Sequence, residues 1–403
     1  MAQYDLASSA FFADPDVTFD RLRADDPVHW HEPLGAWVVT RYDDNYATIR
    51  DARFSVDRNG AIARAGSEAM RAQLDYCNEV FCRWMVFSDP PRHGRLRALA
   101  GRVFTADLVE SLRPTTVAIA RELLSRVESK QSMDLVADYA SPLPSRAMAA
   151  LLGLPAERAE DLRRWAAAMF RFFGAAVATD EVVSSAHEAL TSFERLFTLR
   201  LERARPDARG DLVERVAALR DHDATGARDA LDLCMTLVVG AYETTSHLLA
   251  TAVWALLRHP EELELVRADP QLVEAAVEEA LRWAGPALSV VRRATEDVDL
   301  RGQRIRAGQR VYCMLHAANR DPSRFAEPAR FRSSRVDNRH LGLGGGIHFC
   351  LGAFMTRLEA RVGLQVLLEE VVDLRTELTT PGWNANLAMR GLSSLPVSFR
   401  TLA

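Results

Sequence analysis

From about residue 90 to residue 285 the apolar side chains recur every three to four positions, with Ala, Leu, Arg and Glu filling the intervals. A repeat of that period sustained so long predicts amphipathic helices packed on one another, and it leaves sheet to the two ends of the chain. At the N-terminal end FDRLRADDP reads as a short helix. VHWHE and AWVVTRYDD then alternate β-branched and aromatic residues like a hairpin, and YDDNYATIRD returns to helix. Beyond residue 285, PALSVVRRATEDVDLRGQRIRAGQRVYCML alternates again around Arg-Gly turns and predicts several strands. Residues 318–346 are rich in Pro, Gly, Asn and Asp, a loop long enough to be functional in a compact enzyme. A last long helix is expected from Cys350 to about Val372, with Leu351, Phe354, Met355, Leu358, Val362 and Val366 on one face, and LSSLPVSFR closes the chain as a strand. The expected fold class is therefore mainly α with small β-sheets (α+β). No Ser/Gly linker, repeat or low-complexity tract interrupts it, so residues 1–403 are read as a single domain.

Composition narrows the function classes. An apolar fraction of 48% and a charged fraction of 26% suit a globular chain, and a net charge of -5 gives no support for nucleic-acid binding. The five cysteines are scattered and form no C-x-x-C pair, which argues against a disulfide framework or zinc knuckle. The N-terminus lacks a basic start followed by an apolar stretch, and the longest apolar run, residues 231–257, is broken by Asp232, Glu243 and His247. The expectation is a cytoplasmic protein without a membrane anchor, acting as a monomer.

Residues 341–353, LGLGGGIHFCLGA, crowd five glycines around one histidine and one cysteine. A P-loop would need a Lys, and the only lysine in the chain is Lys130. A dinucleotide fingerprint also fails, because its last glycine falls on Ile347 or Phe349. What remains is an alternation of Gly344, Gly346, His348, Cys350 and Gly352 ending at a helix start. Such a place suits a cysteine that must be a thiolate, since a helix N-terminus lowers a thiol pKa and glycines let a flat partner approach. A buried cysteine behind a flexible loop is the plainer alternative. In LCMTLVVGAYETTSHLL, Glu243 interrupts an apolar helix. Gly240 weakens that helix, and Thr244 can turn its hydroxyl to a backbone carbonyl, so the helix is expected to open locally around an acid and an alcohol. A Glu facing solvent would read the same way. Glu279 and Arg282 stand three apart and can pair on one helix face.

Together these segments resemble the cytochrome P-450 superfamily in its soluble bacterial form. The family's cysteine loop F-G-x-G-x-H/R-x-C-x-G is matched from Leu343 to Gly352 at every fixed position except the first. Its A-G-x-[DE]-T-T element is matched by Gly240-Ala241-Tyr242-Glu243-Thr244-Thr245, and its E-x-x-R by Glu279 and Arg282. Pro328-Ala329-Arg330-Phe331, ANRDP, DPPRHGRLR and RRATED extend the match over nearly the whole chain in the expected order.

The resemblance implies that haem b (iron protoporphyrin IX) lies between a long central helix and the cysteine loop. It makes Cys350 the axial thiolate ligand of the iron and places His93, Arg97, Arg292 and His348 on the propionates. Leu343, Gly344, Gly352 and Ala241 would border the same cofactor. Glu243 and Thr244 become the acid and alcohol of dioxygen activation, and Glu279, Arg282 and Arg330 a structural salt-bridge triad. The substrate cavity would be lined by Met85, Val86 and Phe87, by Phe170 and Phe173, and by Gly240. Leu288, Val290 and Val291 would face it from one segment, and Ala388 and Met389 from another. The implied activity is hydroxylation or epoxidation of a lipophilic small molecule: a macrolide, terpenoid, steroid or fatty acid. Electrons would come from NAD(P)H through ferredoxin reductase and ferredoxin, docking on Arg92, Arg95, Arg102, Arg357 and Arg361. A peroxide-driven peroxygenase or isomerase on the same haem, and a haem-binding sensor or carrier, are the alternatives. Two positions depart from the pattern: Leu343 replaces the usual aromatic residue, and Gly240-Ala241 inverts the Ala-Gly order.

Overall fold

The computed structural model describes residues 4–58, 64–65, 67–174, 177–205, 207, 209–222 and 226–401. The predicted helical stretch is occupied by packed helices, the longest being the 32-residue central helix Ala227–Arg258. Helices Pro142–Leu151, Ala159–Gly174, Asp180–Arg203, Leu272–Ala284 and Ala353–Glu370 all pack on it, so it is nearly apolar on every side. Local chemistry sets the helix ends. Thr179 accepts the Val182 amide ahead of Asp180–Arg203, whose first turn carries Asp180 and Glu181 and whose last turn carries Arg200 and Arg203.

The larger sheet has five strands in the spatial order Val28–His31, Ala36–Val39, Arg310–Cys313, Val290–Ala294, Phe54–Ser55. The first two form the predicted hairpin, with Trp30 opposite Trp37. Arg310–Cys313 runs parallel to Ala36–Val39 and antiparallel to Val290–Ala294, so the two ends of the chain share one sheet. A second sheet orders Val371–Arg375, Pro396–Thr401 and Ser132–Asp134. Ser132–Asp134 lies within the stretch read as helix from its periodicity. Pairing with Pro396–Thr401 overrides local preference there, and a π-helical turn, Leu135–Ala140, follows.

Two expectations for the C-terminal helix change. It starts at Ala353, not Cys350. Phe354 is 59% exposed and not on the buried stripe of Met355, Leu358, Val362 and Val366, because it falls at the margin of that stripe where nothing packs on it. Among the described residues no helix is long and apolar enough to cross a membrane.

Candidate active site

The central helix does not open at Gly240; its helical hydrogen bonding continues through Glu243 and Thr244. Thr244 Oγ1 does donate to the Gly240 carbonyl (2.9 Å), but a hydroxyl sharing an i−4 carbonyl leaves the helix intact. Gly240 is exposed and Ala241, Glu243 and Thr244 are half-buried within an otherwise buried helix, so this stretch faces a cleft inside the protein. Glu243 keeps Oε2 buried without a partner, while Oε1 lies 3.5 Å from His247 Nε2.

The cysteine loop leads into the helix that packs against this one. The Cys350 amide donates to the Leu343 carbonyl (3.0 Å), and Gly344 and Gly346 take φ of 71° and 64°. Only glycine adopts that backbone cheaply, and at Gly346 an added Cβ would also sit 3.1 Å from the Ile49 carbonyl oxygen. Gly344→Ala is accordingly expected to cost about 1–2 kcal/mol, read by chemical denaturation. Leu343 packs on the main core. The Cys350 thiol departs from expectation: burial pushes its pKa up, outweighing the Gly352 amide and the Arg97 and Arg357 charges that lower it. The helix start lies beyond the sulfur, so desolvation dominates. The Thr245 hydroxyl ties the two helices by donating to Thr356 Oγ1 (3.3 Å).

Four positively chargeable side chains converge beside the loop. The His93 and His348 rings are 4.2 Å apart, and Arg97 and Arg292 lie close enough to depress the His348 pKa. Burial comes first in that depression and holds His348 at about 3. Burial also lowers His93, Arg97 and Arg292. His93 Nε2 is buried with no partner. Arg292 is the buried member of its pair, its guanidinium donating to the Val291 carbonyl, whereas Arg293 turns to the Asp57 carbonyl. Asp89, which faces this group, is already engaged by Ser55 and by the Val56 amide (3.1 Å).

Arg58 was missed by sequence reasoning. Its Nε is buried without a partner, burial lowers its pKa, and its guanidinium lies 5.6 Å from the Phe87 ring, with Arg292 nearby. An uncompensated buried arginine leaves no pattern in sequence. Glu359 was missed as well. Both its carboxylate oxygens are buried without partners, burial raises its pKa well above normal, and the Thr245 hydroxyl lies beside it.

Of the cavity residues, Phe87, Phe170 and Phe173 form one aromatic group, with ring centroids 5.5 Å apart for Phe87–Phe173 and 5.9 Å for Phe170–Phe173. The Leu288 amide donates to the Ala388 carbonyl (3.0 Å), and Ala287 bridges to Met389, which brings the two later segments together. Met85 is buried, Val290 and Val291 are half-buried, and Val86 is 46% exposed.

The triad needs correction. Glu279 and Arg282 pair with no exposure, but the third charge is Arg335, whose Nε lies 3.1 Å from both Glu279 oxygens. Arg330 contributes only its carbonyl to Arg282, and its side chain points outward to Glu261 at 3.8 Å. The arginine patch is also less free than expected. Arg92 and Arg95 share Asp229, Arg357 pairs with Glu278 and Arg361 with Glu274.

A family model described as Cytochrome P450 matches residues 211–372. The biotin biosynthesis cytochrome P450 of Bacillus subtilis (strain 168) is 34% identical over 398 residues, spanning 98% of each chain. The cytochrome P450 monooxygenase PikC of Streptomyces venezuelae is 37% identical, spanning 97% of this chain and 92% of that one. The solved structure of P450BioI with an acyl carrier protein ligated to hexadec-9Z-enoic acid matches with a TM-score of 0.88 at 33% identity, over 98% of this chain and 100% of that one.

Proposed function

Since this chain belongs to the cytochrome P450 family of haem monooxygenases, we propose that Cys350 is the axial ligand of its haem iron and that Glu243 and Thr244 serve dioxygen activation. Bound there, haem supplies the activation of dioxygen that inserts an oxygen atom into substrate. The observation that carries the assignment is the group of His93, Arg97, Arg292 and His348, joined by Arg58. His93 Nε2 and Arg58 Nε are buried without partners, and the carboxylate beside the group, Asp89, is already engaged, so two propionates would supply the missing acceptors and counter-charge. His348, whose pKa burial lowers, would hold a propionate through a ring N–H donor. Glu243 presents its unpartnered Oε2 as the acid, and Thr244 presents the alcohol one residue on.

The substrate is lipophilic and meets the Phe87, Phe170 and Phe173 group; a secondary metabolite is favoured because one relative is named for polyketide biosynthesis. Ferredoxin delivers the electrons on the Cys350 side. Phe354, 59% exposed and about one turn before Arg357, offers it an apolar anchor beside the helix's arginines, whose ion pairs with Glu278 and Glu274 weaken the long-range field.

The test is turnover with NAD(P)H, ferredoxin reductase and ferredoxin, set against turnover with hydrogen peroxide. Glu243→Gln and Thr244→Ala each lower the ferredoxin-supported rate by about 10²-fold, the scale of a lost proton-transfer group. Peroxide-supported turnover stays nearly unchanged. Equal losses in both assays would remove the proton-delivery role from this pair.

A further inference from the structure

His247 is a half-buried titratable residue that the proposed mechanism leaves unused. It sits one helical turn after Glu243, and both its ring nitrogens are buried without a hydrogen-bond partner. Its Nε2 faces Glu243 Oε1 at 3.5 Å, with side-chain exposures of 12% and 23%. The ring's other edge is wedged against Gly391: a Cβ there would stand 1.9 Å from His247 Nδ1. Gly391 is held in turn by paired bonds with Asn384, from the Asn384 amide to its carbonyl (3.0 Å) and from its amide to Asn384 Oδ1 (2.8 Å). Two residues earlier the same segment carries Met389, bridged to Ala287.

A buried ring nitrogen without a partner thus faces a carboxylate oxygen across a gap slightly longer than a hydrogen bond. Leaving that buried donor unmade costs more than the small closure that joins the two groups. Arg390, beside Gly391 in the chain, is already committed. It donates to the Phe12 and Ala13 carbonyls and lies over the Trp383 ring. Glu359 faces Thr245, two residues before His247 on the central helix.

We propose that His247 is the positioning residue of the Glu243 carboxyl, with Nε2–H donating to Oε1 and the ring braced by Gly391. Held this way, Oε1 is occupied and Oε2 is the oxygen left to serve the cleft. The brace also links the acid to the segment that carries Ala388 and Met389, so a substrate pressing on that segment shifts the acid. The inference rests on Glu243 being the acid of the reaction.

The experiment is ¹⁵N NMR of the histidine rings in the full-length ferrous carbon monoxide holoenzyme, which is diamagnetic. The His247 signals are assigned by their loss in His247→Gln. In Glu243→Gln the His247 Nε2 resonance is expected to shift, whereas the exposed control Glu274→Gln leaves it in place. Gly391→Ala, which pushes the ring off its seat, moves both ring nitrogens. Identical His247 signals in the wild type and Glu243→Gln overturn the pairing, and an unmoved signal in Gly391→Ala overturns the brace. His247→Gln can restore a donor near Nε2 and keeps the ratio of product to NAD(P)H consumed. His247→Leu lowers that ratio several-fold, and equal ratios for the two variants sink the positioning role. If Glu243→Gln shifts the ring signal yet leaves turnover unchanged, the pair exists and it is the acid role of Glu243 that fails.

Discussion

Cys350→Ser leaves the fold standing and removes the far red-shifted carbon monoxide band of the reduced protein, together with all turnover. Serine preserves the amide that donates to the Leu343 carbonyl, and Gly344 and Gly346 keep their left-handed backbone. Before any metal binds, burial keeps the Cys350 thiol protonated, so the substitution removes no charge from the apoprotein. Stability therefore changes by about 1 kcal/mol or less, as for most conservative single substitutions. What disappears is sulfur's electron donation, which a hydroxyl cannot replace. Three of the other cysteines are poor substitutes, because burial pushes Cys77, Cys234 and Cys313 up to about 12. Carbon monoxide difference spectra beside circular-dichroism melts check both halves of the result. Persistence of the red-shifted band in Cys350→Ser would mean that another residue holds the iron.

The second large effect lies away from the chemistry. Arg282 is fully buried, donates to both Glu279 oxygens (2.8 and 2.7 Å), and also serves the carbonyls of Asn319, Pro328 and Arg330 (2.9, 2.9 and 3.1 Å). Arg282→Ala takes the bidentate partner from a fully buried carboxylate and a donor from three carbonyls at once, a loss of about 3–5 kcal/mol. Arg335→Ala removes the other charged donor to Glu279 and costs about 1.5–3 kcal/mol, the range of a charge-assisted bond. Arg330→Ala costs about 0.5 kcal/mol or less, because its side chain is 48% exposed and reaches only Glu261. Urea titrations of the three holoenzymes give the ranking directly. If Arg330→Ala proved as costly as Arg335→Ala, the third member of the ion cluster would have been misassigned.

The confusion between Arg330 and Arg335 marks where sequence stops informing. The family resemblance names Arg330 as the partner of Glu279, but the turns of a loop without regular structure decide which side chain points inward. The apolar run 231–257 falls within the central helix, Ala227–Arg258, because nearly every face of that helix is buried. Periodicity failed at Ser132–Asp134, where a partner more than 260 residues away makes the strand. Glu243 was visible because an acid in an apolar run breaks a local rule. His247, Arg58 and Glu359 were not, since their significance lies in what fails to meet them, and a missing partner is a property of three dimensions.

The shared sheet has a temporal consequence. Trp37 bonds Gln309 across 272 residues, and the strand beside Ala36–Val39 is Arg310–Cys313. A ribosome adding 5–20 residues per second needs roughly 15–55 s to bridge that interval. Throughout it, the Ala36–Val39 edge waits unpaired outside the tunnel. The newborn chain is therefore most open to aggregation early in synthesis, and its N-terminal hairpin is where a holding chaperone would first be needed.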